Sequence, residues 1–308
     1  MEQVKPNAEP RMTAGADEPI PALEHRSPRR GDDLERAHES RFVRHRWPRS
    51  AHVGVSLVIP AMNEQHNIGW VLERIPPSVD EVILVDNSVD ETVAVSRAIR
   101  PDIRVIGQDS PGKGSALRAG FAAARGEVIV MIDADRSMDP REIDRYLHLL
   151  EEGYDLVKGS RFMDGGGTDD MERLRRWGNG ALRGLVNGLY GSRFTDLCYG
   201  YSAFRRDSLE RLALAADGFE IETEIVVRAV KSGLRVAEVP SFEAARAYGE
   251  SKLHTWRDGR RVLRTLLHHR FARSEPQVVA SPMDEALAPV LSMATEFAGA
   301  TQAAEMQG

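Results

Sequence analysis

Short apolar runs alternate with amphipathic stretches over the first half of the chain. The apolar runs are bounded by polar residues, as in strands that are buried on both faces of a sheet. The stretches between them carry apolar residues at helical spacing. The predicted strands are residues 55–59, 81–85, 104–106, 127–132 and 156–158, and the predicted helices are residues 67–75, 92–99, 114–124 and 141–151.

This alternation predicts an α/β fold with a mostly parallel central sheet flanked by helices on both faces. In such sheets, ligands bind in the crevice at the carboxyl ends of the strands. Ligand-binding and catalytic residues are therefore expected in the loops that follow the predicted strands.

Composition divides the rest of the chain. Residues 1–51 are rich in Pro, Arg and Glu without periodicity, which predicts a disordered N-terminal extension. Residues 52–245 form the predicted folded domain, and residues 246–273 form a basic amphipathic helical segment. Residues 274–308 contain five acidic residues and no Lys or Arg, which predicts a flexible acidic tail.

Charge and cysteine usage exclude several classes. A net charge of −6 over 308 residues argues against nucleic-acid binding. A single cysteine, Cys198, rules out an intramolecular disulfide and indicates a reducing, cytoplasmic compartment. We find neither a signal peptide nor a run of about 18 apolar residues that could span a membrane.

The most informative feature is the acidic pair Asp133 and Asp135, directly after the apolar run 128–132. Carboxylates at positions i and i+2 of an extended chain point roughly the same way. Mg²⁺ and Mn²⁺ prefer such hard oxygen ligands and also bind diphosphates. The motif predicts a metal site only weakly by itself, because D-x-D is common in acidic proteins.

Polar residues also follow the first two predicted strands. Asn63 and Glu64 could bind a ribose or base, or could cap the next helix. Asp86 could accept a hydrogen bond from a base, whereas Asp90 suits the N-cap of the helix that follows.

Further candidates lie later in the chain. Lys113 opens a helix among glycines, as an anion contact or as a solvated lysine. Arg161 could grip a phosphate with two hydrogen bonds. Glu222 could be a general base or a packed acid with a charge partner, and Cys198 is predicted to be a small buried hydrophobe. The segment 246–273 could lie on an anionic membrane surface or pack as an ordinary helix with a solvated basic face.

Together these segments resemble family 2 glycosyltransferases with the GT-A fold, and more narrowly dolichol- or polyprenyl-phosphate mannosyltransferases. The resemblance covers residues 53–267. It rests on the order and spacing of V-I-P-A-M-N-E at 58–64, G-K-G at 112–114 with R-A-G at 118–120, D-A-D at 133–135, G-S-R at 159–161 and G-E-S-K-L at 249–253.

The resemblance implies a nucleoside-diphosphate-sugar donor and a polyprenyl phosphate or other acceptor. It implies that Asp135 binds Mg²⁺ or Mn²⁺ on the diphosphate, with Asp133 and Ser137 as further candidate ligands. Arg161 falls where relatives hold an acceptor phosphate. The residues implied to contact the nucleoside are Pro60, Glu64, Asp86, Lys113 and Asp133, and those near the donor phosphates are Arg246 and Lys252.

The chain departs from the family pattern at several points. Met62 stands in place of the usual aromatic, and the acidic turn after the second strand is one residue shorter than usual. Ser137 stands where some relatives have a metal-binding Gln, so water or Asp139 could complete the site. No transmembrane segments follow the basic helix, so membrane attachment is expected to be peripheral, at the inner face of the plasma membrane.

The expected function is metal-dependent, inverting transfer of a sugar to a polyprenyl phosphate, with mannose from GDP-mannose as the leading choice. A soluble small-molecule or glycan acceptor, with UDP-glucose or GDP-mannose as donor, is the alternative. In that case Glu222 would be the general base. A catalytically silent nucleotide-sugar-binding protein is a more distant alternative. A sugar nucleotidyltransferase is set aside, because its Gly-rich basic segment is missing after the first strand.

Overall fold

A computed structural model describes residues 23–25, 54–169, 171, 173–249 and 255–271. The described residues form an eight-stranded sheet with helices on both faces, and a separate pair of short strands. The strands are β1 Leu23–His25, β2 Val55–Ala61, β3 Glu81–Asp86, β4 Arg104–Ile106, β5 Val128–Met131, β6 Leu156–Ser160, β7 Gly167–Thr168, β8 Ser202–Arg205, β9 Val236–Pro240 and β10 Phe242–Glu243.

The helices follow most of these strands, as the alternating pattern predicts. They are α1 Ile68–Leu72, α2 Thr92–Ile99, α3 Lys113–Ala123, α4 Ile143–Glu151, α5 Arg173–Tyr190, α6 Ser208–Leu212, α7 Ile221–Lys231 and α8 Thr255–Phe271, and a 3₁₀ turn, Pro140–Glu142, leads into α4.

The strand order in the large sheet is β1-β9-β6-β8-β5-β2-β3-β4. Strands β2 to β5 run parallel, and β6 runs parallel to β9. Strand β8 is antiparallel to both β5 and β6, and β1 is antiparallel to β9. Six strands therefore share one direction, which confirms the prediction of a mostly parallel sheet.

Side chains on successive residues of a strand point to opposite faces, and the core is divided accordingly. In β2, Leu57 and Ile59 face a cluster covered by α1, α2 and α4, whereas Val58 faces a second cluster on the other side. The second cluster includes Val186 of α5 and Leu266 of α8. Burial of one aliphatic side chain stabilises the folded state by about 1.5–3 kcal/mol, because its apolar surface is removed from water. Both faces of the sheet are thus covered, which leaves its carboxyl edge for ligands.

In the second half of the chain, the sequence pattern predicted fewer helices and strands than the structure contains. Helix α5 was not predicted, because its four glycines weaken the helical signal. Strand β8 has only four residues, too short for periodicity to identify. Helix α1 is shorter than predicted and ends at Leu72, four residues before Pro76.

The predicted domain boundaries stay predictions. Most of residues 1–51 lie outside the described residues, although Leu23–His25 forms a strand that the pattern did not predict. The acidic tail 274–308 also lies outside them. Within the described ranges, no helix is both long enough and apolar enough to cross a membrane.

Candidate active site

The carboxyl ends of β2, β3 and β5 lie side by side at one edge of the sheet. Strand register pairs Ala61 with Asp86, and Val58 with Met131 two residues before Asp133. The loops after these strands therefore begin next to one another. The three polar segments that the sequence singled out separately come together here because parallel strands present their carboxyl ends on the same edge.

Lys113 joins two of the candidate carboxylates. Its Nζ lies 2.6 Å from Oδ1 of Asp133 and 2.7 Å from Oε1 of Glu222. Burial opposes the charged form of Lys113, but the two carboxylates outweigh it and raise its pKa above the usual value. The lysine at the start of α3 is therefore an ion-pair partner in the crevice and not a solvated side chain.

Asp133 carries the opposite perturbation. Burial raises its pKa, Lys113 lowers it, and the nearby charges of Asp135 and Glu222 raise it further, to about 6. A carboxylate that is pushed toward its neutral form beside two other acids lies in a region with excess negative potential. Such a region would be stabilised by an additional cation.

A second ion-pair group surrounds Asp135. Arg246 binds Oδ2 of Asp135 at 2.6 Å through Nη2 and Oε1 of Glu64 at 3.0 Å through Nη1. Burial opposes the charge of Arg246, but these acids raise its pKa. Asn67 donates to the other oxygen of Glu64 at 2.6 Å and to the backbone oxygen of Tyr248 at 3.1 Å. Glu64 is thus a bridge to the 244–249 loop and not a helix cap.

Ser137 touches the acidic pair directly. Its backbone N–H and its hydroxyl both donate to Oδ1 of Asp135, at 3.0 and 2.6 Å. These bonds close a tight turn in which Arg136 has a φ of 67°. Ser137 therefore orients Asp135, and its role as a metal ligand stays a prediction. Asp139 instead caps the 3₁₀ turn and pairs with Arg141.

The donor set fits a divalent cation that also has a ligand outside the protein. Within the described ranges, no group of three His, Cys, Asp or Glu residues could hold a metal by itself. Mg²⁺ commonly binds through one or two carboxylates together with substrate phosphates and water. Asp133 and Asp135 supply that number of carboxylates, so the pair fits a metal shared with a diphosphate.

Charge supports the same interpretation. Among the described residues of the two ion-pair groups, four carboxylates (Glu64, Asp133, Asp135 and Glu222) meet two cations, Lys113 and Arg246. Each cation is shared by two carboxylates, so the two groups together carry a net charge of −2, which one divalent cation would neutralise.

Gly200 leaves room beside the Lys113 group. A Cβ at this position would lie 2.8 Å from Nζ of Lys113, 2.9 Å from Oε1 of Glu222 and 3.3 Å from Oδ2 of Asp133. Any side chain would displace this group. No local pattern in the sequence connects this glycine to the site, because the contact depends on tertiary packing.

The loops after β2 and β3 support each other on the side predicted for the nucleoside. Asn63, with a φ of 62°, donates its backbone N–H to Oγ of Ser88 and accepts from the backbone N–H of Val89. Asp86 accepts from both donors of Ser88, at 2.6 and 3.1 Å. Pro60 lies one residue before the end of β2. Contacts of these residues with a nucleoside stay predictions.

Asp90 lies one residue before Glu91, the N-cap of α2, so the predicted N-cap is displaced by one residue. Its carboxylate accepts from the backbone N–H of Thr92 at 3.0 Å and also from the Thr92 hydroxyl. Asp90 therefore satisfies the first turn of α2.

Arg161 lies in a different, buried cluster. Nε and Nη2 donate to the two oxygens of Asp196 at 2.7 and 3.1 Å, and Nη1 donates to both oxygens of Glu243 at 3.0 Å. Nη2 also donates to the backbone oxygen of Cys198 at 2.6 Å. These five bonds match the five N–H groups of a guanidinium. An acceptor phosphate could bind here only by displacing one of these partners.

The same cluster is tied to its surroundings by further bonds. Burial opposes ionisation of Asp196, but Arg161 and Lys158 lower its pKa below the usual value. Asn179 of α5 donates to Asp196 at 3.1 Å. Cys198 is partly buried and packs against the second core cluster, as expected for a small hydrophobe. The sequence does not link Asp196 and Glu243 to Arg161, because they lie 35 and 82 residues away from it.

Glu222 and Lys252 are the other two predicted site residues. Glu222 lies in the first turn of α7 and binds Lys113, so it has the charge partner expected of a packed acid and also lies in the candidate site. Lys252 lies outside the described residues.

Comparison with known proteins gives consistent matches. The family model "Glycosyl transferase family 2" matches residues 56–213. The dolichyl-phosphate hexose transferase of Haloferax volcanii is 32% identical over 216 residues, which cover 69% of this chain and 92% of that protein. The polyprenol monophosphomannose synthase of Mycolicibacterium smegmatis is 32% identical over 64% of this chain and 80% of that protein.

A solved structure is also similar. The glucosyl-3-phosphoglycerate synthase of Mycobacterium tuberculosis, in complex with Mn²⁺, UDP and phosphoglyceric acid, has a TM-score of 0.59 and 26% identity over 72% of this chain and 80% of that chain. The same enzyme has also been solved with Mg²⁺ and UDP.

Proposed function

This chain belongs to glycosyl transferase family 2 and has the GT-A fold, and on that premise we propose that it transfers a hexose from a nucleoside diphosphate sugar to a polyprenyl phosphate. GDP-mannose is the leading donor. The similarity to two polyprenyl-type transferases over most of their length supports this acceptor class.

The observation that carries the proposal is the pair of ion-pair groups at the carboxyl edge of the sheet. Asp133 and Asp135 lie next to each other with more carboxylates than cations around them. That arrangement suits Mg²⁺ or Mn²⁺ bridged to a donor diphosphate. When bound, the cation would neutralise charge that develops on the leaving diphosphate.

The protein side chains have complementary tasks in this proposal. Arg246, which holds Asp135 and Glu64, can turn toward the donor phosphates when the diphosphate and its cation arrive. Lys113 binds both Asp133 and Glu222, offsets the repulsion between them and holds the two carboxylates in place. Fixed charges that face the leaving group lower the barrier because they need little reorganisation.

The acceptor determines whether a base is needed. The second pKa of a phosphate monoester is about 6, so the group is mostly dianionic at neutral pH and can attack the anomeric carbon directly. In-line attack from the opposite side of the sugar would invert its configuration. Glu222 would then act through Lys113 and not as a proton acceptor.

A second candidate function has its own support. The structural similarity to glucosyl-3-phosphoglycerate synthase, solved with phosphoglyceric acid, favours a soluble phosphorylated acid as acceptor and UDP-glucose as donor. If the attacking group is a hydroxyl, Glu222 is the candidate base, because it lies beside the acidic pair.

The test uses the purified full-length chain with Mn²⁺ and labelled GDP-mannose or UDP-glucose. Each donor is paired with a short polyprenyl phosphate in detergent or with phosphoglycerate, and products are separated by organic extraction. Label in the organic phase, abolished by a chelator and by Asp135→Ala, is the expected result. As a matched control, Asp102→Asn removes an exposed carboxylate just before the amino end of β4, away from the carboxyl edge of the sheet.

Other outcomes distinguish the alternatives. Label that stays in the aqueous phase as glucosylated phosphoglycerate would move the function to the soluble acceptor and would keep the metal site. Neither transfer nor donor hydrolysis with any combination of donor and metal would favour a nucleotide-sugar-binding protein without catalysis. The proposal also includes a peripheral position at the cytoplasmic face of a membrane, where a polyprenyl phosphate would be met.

A further inference from the structure

Asn67 occupies the N-cap position of α1 but does not use its side chain to cap the helix. Asparagine is among the preferred N-cap residues, because its side-chain oxygen can accept from the backbone N–H groups of the first turn. Here the backbone oxygen of Glu64 accepts from the N–H groups of Asn67 and Ile68 instead, at 2.9 and 2.8 Å. The side chain of Asn67 is therefore available for contacts outside its own helix.

The side-chain amide of Asn67 joins two segments that are far apart in the sequence. Its Nδ2 donates to Oε2 of Glu64 at 2.6 Å and to the backbone oxygen of Tyr248, 181 residues later, at 3.1 Å. Both partners are acceptors, so the amide has to present its NH₂ group to them, and both N–H donors of that group are used. The orientation of the amide thus follows from the chemistry of its partners.

The oxygen of the same amide is buried without a donor. Asn67 is 2% exposed, and none of the residues that the structure describes donates to its Oδ1. A buried acceptor that lacks a donor is destabilising. Asn67 therefore forgoes its local cap and leaves one atom unsatisfied, and the bonds that compensate for this are those to Glu64 and Tyr248.

Both contacts of Asn67 act on Arg246. Glu64 binds Nη1 of Arg246 through Oε1, while Asn67 binds the other oxygen of the same carboxylate. Tyr248 lies two residues after Arg246 in the 244–249 loop. One amide therefore fixes the carboxylate that holds the guanidinium and also the backbone that carries it.

The opposite end of the loop is fixed beside the acidic pair. The backbone N–H of Ala244 donates to the backbone oxygen of Ser137 at 2.9 Å. Between the two ends, Nη2 of Arg246 donates to Oδ2 of Asp135 at 2.6 Å. The loop is thus attached at Ser137 on one side and at Asn67 on the other, and loss of the Asn67 attachment would release the half that follows Arg246.

We propose that Asn67 is a positioning residue for the donor diphosphate, which keeps the guanidinium of Arg246 at the acidic pair where the phosphates would bind. This inference rests on the proposed function, because it takes the donor diphosphate as the ligand that Arg246 meets. A long side chain that is already ordered loses less entropy when it binds a ligand. Asn67 therefore raises donor affinity through Arg246, without a contact of its own with the donor.

The test measures nucleotide binding and not turnover. Isothermal titration calorimetry of the purified full-length chain with Mn²⁺ and either GDP or UDP gives the Kd of each nucleotide. Asn67→Leu has the same branched shape as asparagine but donates no hydrogen bond. We expect it to raise the Kd of the more tightly bound nucleotide about tenfold. Asn67→Ser, a smaller substitution, should also raise that Kd, and it decides the question if circular dichroism shows that Asn67→Leu does not fold.

A double-mutant cycle separates positioning from a general loosening of the structure. Arg246→Gln removes the guanidinium on which Asn67 is proposed to act. Addition of Asn67→Leu to Arg246→Gln should therefore change the Kd by less than about twofold. An asparagine with a merely structural role would lower the affinity by the same factor in both backgrounds.

Asn187 supplies a matched control, because it is a second asparagine that bridges two segments. Its Nδ2 donates to the backbone oxygen of Phe194 at 2.9 Å, and its Oδ1 accepts from the N–H of Phe194 at 2.9 Å and from the hydroxyl of Ser192 at 3.0 Å. These three bonds lie within residues 187–194, outside the two ion-pair groups. Asn187→Leu should therefore bind the nucleotide like the unchanged chain.

Three results would overturn the inference alone. They are an unchanged Kd in the folded Asn67 variants, equal losses of affinity with and without Arg246, and an equally large loss in Asn187→Leu. In each of them the unchanged chain still binds nucleotide, so the proposed sugar transfer stands. An unchanged chain that binds neither GDP nor UDP with Mn²⁺ would instead contradict the proposed function together with this inference.

Discussion

Two clusters of arginine or lysine with carboxylates use the same residue types in opposite ways. At the carboxyl edge of the sheet, Lys113 and Arg246 meet four carboxylates, and the acids are in excess. Around Arg161, all five N–H groups of one guanidinium are bound by Asp196, Glu243 and a backbone oxygen. We call the first the incomplete cluster, because its carboxylates outnumber its cations, and the second the complete cluster, because every guanidinium N–H of Arg161 is bound.

The difference separates a ligand site from a structural one. A buried ion pair whose hydrogen bonds are satisfied mainly fixes geometry, and removal of one partner is costly. Burial raises the pKa of Asp133, and the neighbouring carboxylates of Asp135 and Glu222 raise it further. Such residues are poised to bind a ligand of opposite charge. Residue type alone does not make this distinction, because Arg161 was an attractive phosphate anchor in the sequence.

The largest effect should come from the incomplete cluster. Asp135→Ala should lower transfer about 10⁴-fold, or about 5 kcal/mol of transition-state stabilisation, because it removes the principal candidate metal ligand. Steady-state rates with saturating Mn²⁺ measure the loss. The free energy of unfolding in urea should fall by only about 1–3 kcal/mol, because the two Ser137 donors lose their acceptor while Arg246 keeps Glu64 as a partner. Turnover like that of the unchanged enzyme would rule out the metal assignment.

The complete cluster should respond in stability. Asp196→Ala leaves Nε and one Nη2 N–H of buried Arg161, and Nδ2 of Asn179, without their acceptor, so the free energy of unfolding should fall by about 3–5 kcal/mol although Glu243 still pairs with Arg161. Urea denaturation followed by circular dichroism measures this change.

A matched exposed pair provides the control for Asp196→Ala. Asp102→Asn breaks the ion pair with Arg100, in which the Asp102 side chain is 64% exposed. Exposed pairs contribute about 0–1 kcal/mol, so this variant should be nearly neutral. A loss below about 1 kcal/mol for Asp196→Ala would show that the Arg161 cluster is not structural.

A substitution at Gly200 tests how closely the incomplete cluster is packed around Lys113. A Cβ there would displace Nζ of Lys113 and Oε1 of Glu222, so Gly200→Ala should raise the KM for the donor about 10- to 100-fold. Gly259→Ala is the control, because nothing lies within 4 Å of its added Cβ. Equal KM values in both variants would mean that the Lys113 group does not contact the donor side of the site.

The smallest effect should be that of Glu222→Gln with a phosphate acceptor. Removing its charge weakens the grip on Lys113, and kcat should fall by about tenfold or less with polyprenyl phosphate. With a hydroxyl acceptor, kcat should fall by about 10²–10⁴-fold, since a general base would be lost. The ratio of the two losses identifies the attacking group. Equal large losses with both acceptors would assign Glu222 to transition-state stabilisation.

Prediction from the sequence was most successful where the signal is local. The strand and helix of residues 104–106 and 92–99 are observed with the predicted bounds, because continuous apolar runs and helical spacing are local properties. The position of Asp133 and Asp135 at a strand end followed from the same pattern. Helix α5 escaped it because its glycines interrupt the helical signal.

The α/β fold, the family and the acidic pair after β5 could all be predicted from the amino-acid sequence. These follow from the order of apolar and polar residues, which decides what is buried and where each strand ends. Only the tertiary structure decided that Lys113 binds Glu222, 109 residues later, and that Arg161 is saturated by Asp196 and Glu243. Ion pairs between distant residues depend on how finished elements pack together, and no local pattern in the chain encodes that packing.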